Sequence, residues 1–89
     1  MSITTDKGKR FNVRWAWGPA GETGRLMIEL TADDRPLSQI AADFEGVALI
    51  TRQDENEGDA TFAGYTQLVR IERIATGGVQ LALEQAVSA

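Results

Sequence analysis

Two stretches of this sequence hold residue types that could do chemistry. In the first, Lys9, Arg10 and Arg14 interleave with Phe11, Trp15 and Trp17. Cations beside aromatic platforms are how single-stranded nucleic acids are held, through phosphate neutralisation and base stacking. Lys9, Arg10 and Arg14 are therefore the candidate nucleic-acid residues. On an ideal strand Arg14 and Trp15 project to opposite faces, which separates charge from platform. A net charge of −4, from nine basic and thirteen acidic residues, also opposes phosphate binding. The second stretch is Asp54-Glu55-Asn56-Glu57-Gly58-Asp59, whose oxygens suggest calcium. An EF-hand loop needs oxygen ligands at positions 1, 3 and 5, glycine at 6 and glutamate at 12. With Asp54 first, Gly58 falls at 5 and Tyr65 at 12; with Gly58 at 6, Gln53 is first and Gly64 last. Neither register works, and the stretch reads as a solvated turn.

The remaining candidates have structural explanations. Asp33-Asp34 and Asp43…Glu45 could serve as paired carboxylates, but helix capping and solvation account for them. Gly18 to Gly24 lacks the Lys-Ser/Thr ending of a phosphate loop. Ser38 has no histidine or cysteine to activate it, because the chain contains neither. Without them there is no Ser-His-Asp triad, no thiol chemistry, no disulfide and no zinc ribbon. The expectation is a non-enzyme with no catalytic residue, no cofactor and no metal.

The elements that position these residues follow from hydrophobic period. Phe11, Val13, Trp15 and Trp17 alternate, as do Leu26, Ile28 and Leu30, and the Gly/Pro-rich segment between them predicts a hairpin. Leu37, Ile40, Ala41 and Phe44 form one stripe of a short helix, with Asp33 or Asp34 as N-cap, Pro36 in the first turn and Gly46 as C-cap. Val47 to Thr51 is a continuous rather than alternating run and predicts a strand either buried on both faces or lying under the helix. Thr61-Phe62-Ala63 is a short extended piece, with Gly64 marking a bend. Val69 and Ile71, then Val79, Leu81 and Leu83, alternate around Gly77-Gly78 and predict a second hairpin. The fold class is α+β: a mostly antiparallel sheet of five to six strands with one short helix packed on one face. The expected core is Val13, Trp15, Leu26, Ile28, Leu30, Leu37, Ile40, Phe44, Leu49, Val69, Ile71, Leu81 and Leu83.

A flexible leader is expected over residues 1–8, one domain over 9–86 and a tail over 87–89; 89 residues leave no room for a second core. No apolar run approaches the length of a membrane span, and the polar start lacks the apolar core of a secretion signal. Two tryptophans on one face of so thin a domain exceed what one short helix covers. Trp15, Trp17, Leu68 and Tyr65 are thus candidate contacts with a second copy or another protein. A homo-oligomer is expected, with nucleic acid the alternative partner and no membrane.

From Leu37 to Glu84 the sequence resembles short uncharacterised proteins of bacteriophages and prophages. The resemblance lies in Pro36-Leu37-Ser38-Gln39-Ile40-Ala41-Ala42-Asp43-Phe44-Glu45-Gly46 and in Gly64-Tyr65-Thr66-Gln67-Leu68-Val69-Arg70-Ile71, with Val79-Gln80-Leu81-Ala82-Leu83 after the glycine turn. It implies an assembly or accessory protein encoded near tail or structural genes, with no enzymatic role. The setting it implies is the cytoplasm of a bacterial host, or the virion itself.

Overall fold

The computed structural model describes residues 1–18 and 24–85. Within them the chain forms β1 (Ser2–Thr5), β2 (Arg10–Trp17), β3 (Arg25–Leu30), α1 (Leu37–Phe44), β4 (Leu49–Gln53), β5 (Ala60–Ala63), β6 (Gln67–Arg73) and β7 (Val79–Glu84). The strands make one sheet, ordered β5-β4-β1-β2-β3-β7-β6, with every neighbouring pair antiparallel. The α+β class and both hairpins agree with the sequence reading, but there are seven strands rather than five or six. The extra strand is β1, which falls where a frayed leader was expected. Its short polar sequence hides its role: Ile3 is fully buried, and β1 bridges β2 and β4 near the middle of the sheet. Residues 86–89, which include the expected tail, lie outside the described residues, as do 19–23 of the first hairpin loop.

The sheet curls strongly. Its two edge strands, β5 and β6, are joined by only Gly64, Tyr65 and Thr66, so they meet at one corner. There the Gln85 side-chain amide donates to the Ala63 carbonyl at 3.3 Å. The helix α1 packs against β6. The concave side is the core, where Ile3, Phe11, Leu26, Ile28, Ile40, Phe44, Val47, Ile50, Leu81 and Leu83 meet. Phe11 stacks on Phe44 with ring centroids 4.9 Å apart. An eight-residue helix is unstable alone, so this burial is what holds α1.

The helix caps differ from expectation. Pro36 itself is the N-cap and no side chain caps the N-terminus. Asp33 instead accepts the Arg35 backbone N–H at 3.0 Å and is engaged by the Arg35 guanidinium. At the other end Gly46 takes φ +70, the left-handed geometry of a C-terminal cap, and the Lys7 ammonium donates to the Glu45 carbonyl at 2.5 Å. One of the basic residues near the start is thus a helix cap. β4 is not buried on both faces: Ile50 is buried and Leu49 is exposed. No helix among the described residues is long and apolar enough to cross a membrane.

Candidate functional site

The decisive local feature is a register shift in β2 between Val13 and Trp15. Phe11 and Val13 face the core, but so does Ala16, not Trp15. A β-bulge sets two residues of one strand against one of its partner and turns successive side chains to the same side. Here it sends Arg14 and Trp15 outward together. Arg14 reaches Glu29, and Glu29 is the residue paired with Trp15. The sequence argument that separated this cation from this aromatic therefore fails. Trp15, expected in the core, is half-buried on the outer face, and Trp17 is 54% exposed. A second register shift, between Leu68 and Arg70, turns Val69 outward and exposes it, while Leu68 and Ile71 pack against the core.

The register lays out this outer face row by row. One row runs Trp15, Glu29, Gln80, Glu72 across β2, β3, β7 and β6, and the next runs Trp17, Met27, Ala82, Arg70. α1 lies on the opposite, concave side. Among the described residues the face is an apolar strip of tryptophan and methionine bordered by charge. Arg25 pairs with Glu84 at 2.8 Å and Arg70 with Glu72 at 2.5 Å. These exposed pairs contribute little stability but keep the rim hydrated.

Two of the expected contact residues are placed elsewhere. Tyr65 is buried at the corner between the edge strands, where its ring closes the core, so it offers no surface. Leu68 also turns inward. Lys9 lies in the β1–β2 turn. Arg10 donates to the Ser2 hydroxyl at 3.4 Å and lines an open polar groove of about 520 Å³ shared with Asp54, Glu55 and Asp59. The acidic turn is closed by Asp54, whose carboxylate accepts the Asn56 N–H and whose carbonyl accepts the Gly58 N–H. Among the described residues no three carboxylates are placed to hold a metal ion.

Sequence reasoning missed Glu29. It reads as an ordinary outward residue of β3, yet its side chain is only 8% exposed. One oxygen accepts from the Gln80 amide at 2.9 Å; the other has Arg14 Nε no closer than 3.8 Å. Its partners are Trp15 of β2 and Gln80 of β7, set beside it by the register of two strands distant in sequence, which the local alternation does not carry. No protein-family model, curated protein or solved structure matches the chain.

Proposed function

We propose that this protein is a non-enzymatic assembly module that self-associates through the outer face of β2, β3, β7 and β6. The observation that carries this reading is Trp17, a large apolar side chain left 54% exposed beside Trp15 and Met27 on a face that α1 does not cover. Aromatic anchors within a charged rim are the usual anatomy of a protein contact. The absence of histidine and cysteine supports the non-enzymatic part. The resemblance to short phage and prophage proteins supports a structural or accessory role in a bacterial cell or virion. Sedimentation velocity over a concentration series tests the reading. Association of the wild-type chain, abolished by Trp17→Arg with an unchanged melting temperature, is the expected result; equal sedimentation of the two chains contradicts it.

A second reading, a small nucleic-acid-binding module, gains one observation: the bulge puts Arg14 on the same side as Trp15. Against it, Glu29 faces Arg14 and the acidic turn faces Arg10. Titration with a fluorescent oligonucleotide discriminates the two. Binding that weakens steeply with salt and with Arg14→Ala favours nucleic acid.

A further inference from the structure

The exposed Trp17 marks the face proposed to associate but not what would fix the orientation of two copies. Glu29 supplies that. A carboxylate this buried is held by hydrogen bonds and a paired cation. Glu29 has one of each, and its second oxygen accepts no hydrogen bond. Gln80 satisfies Oε1, while Oε2 lies beyond hydrogen-bond reach of its nearest cation, Arg14, at 3.8 Å. Beside it opens a pocket of about 240 Å³, walled by Thr31, Ala32, Thr76 and Gly78 with Arg14 at its rim. Arg14 itself is 69% exposed and is held loosely. The carboxylate is a socket with an unfilled acceptor, and the exposed guanidinium next to it is a plug of the right charge.

Plug and socket lie side by side on one face, so they are self-complementary. A two-fold axis lying in the plane of the interface and passing between the two side chains places each copy's Arg14 over the other copy's Glu29, as an isologous interface requires. We propose that two copies of this chain meet through the tryptophan face with their Arg14 guanidinium groups exchanged, each seated in the Glu29 pocket of the other. The proposal rests on the self-association reading above and names its orienting contact. In the free chain Arg14 is a weak partner in high dielectric; in the pair the interface excludes water from the Glu29 carboxylate, and the guanidinium can bind it bidentately.

Complementation tests the exchange. Arg14→Gln removes the plug and Glu29→Gln removes the socket's charge, so each variant alone loses both reciprocal pairs. Mixed one to one, they form a heterodimer that regains one pair. The expected result in analytical ultracentrifugation is a mixture that associates about tenfold more tightly than either variant alone, while a mixture of wild type with the doubly substituted chain, which has no intact pair, gains nothing. A mixture no tighter than its components overturns the exchange. If Trp17→Arg still abolishes wild-type association in that case, the face reading survives and only the orientation is wrong. A wild-type chain that remains monomeric removes both. If Glu29→Gln does not fold, comparing Arg14→Lys with Arg14→Gln in the wild-type background decides the matter. Partial loss in the first, which keeps the charge but not the bidentate fork, and about tenfold loss in the second supports the exchange, and association equal to wild type in both overturns it.

Discussion

Arg35 shows how much of the molecule one side chain organises. Its guanidinium bonds Asp33 at 2.9 Å and Asp43 at 2.9 Å, and its Cζ sits 5.7 Å from the Phe11 ring centroid. It therefore ties the start of α1, the helix body and β2 together, with Arg73 of β6 donating to the Asp33 and Arg35 carbonyls from the far side. The two carboxylates raise the Arg35 pKa. The hydrogen bonds from Arg35 hold the Asp33 carboxyl below its usual range, against a smaller opposing effect of burial. A carboxyl whose pKa is depressed by folding stabilises the protein above its unfolded pKa, about 3.9, and that contribution is lost as pH falls through the folded value. Asp33→Asn is expected to cost about 0.5–1 kcal/mol at pH 7, the pair being partly exposed. The difference from wild type should shrink in denaturant titrations carried below about pH 4. A deficit independent of pH would mean that Asp33 acts through packing alone.

At the scale of elements, α1 depends on its buried face. Phe44 is fully buried and stacked on Phe11, so Phe44→Ala should cost about 3–5 kcal/mol and undock the helix from β6. Urea unfolding with far-UV dichroism checks this; a loss below about 1 kcal/mol would mean that the helix is held elsewhere. The β6–β7 hairpin depends on close approach at Gly78, where an added Cβ would lie 2.7 Å from the Leu30 carbonyl oxygen. Gly78→Ala should therefore separate the hairpin tip from β3 and lower the melting temperature. Both hairpins, β5 and the helix stripe were legible in the sequence because period and glycine placement are local signals. The two bulges were not, because a bulge breaks the very alternation used to read a strand. Trp15 and Val69 were accordingly assigned to the core, and Arg14 to the wrong side of the aromatic strip. The acidity of the helix approach was legible too, but not that Asp33 would hold an arginine instead of capping the helix.

The whole molecule is a single curled sheet with a radius of gyration of 12.3 Å, close to the ~12 Å expected for one compact domain of this length. Its closure relies on β1, the strand least visible in the sequence. Ile3 is its one aliphatic residue in contact with the core, and the pairing of Ser2–Thr5 with both β2 and β4 depends on partners far along the chain. Deleting residues 1–5 should therefore split β4 and β5 from the rest of the sheet and abolish cooperative unfolding. A truly flexible leader could be removed without effect, and a calorimetric melt distinguishes the two.

The same curl leaves the tryptophan strip outside, on the side away from α1. Sedimentation equilibrium of wild type beside Trp17→Arg reads whether copies associate through that strip. The wild-type chain is expected to form dimers or larger species as concentration rises, and the folded variant to remain monomeric. A folded wild-type chain that is monomeric at every concentration would contradict self-association there.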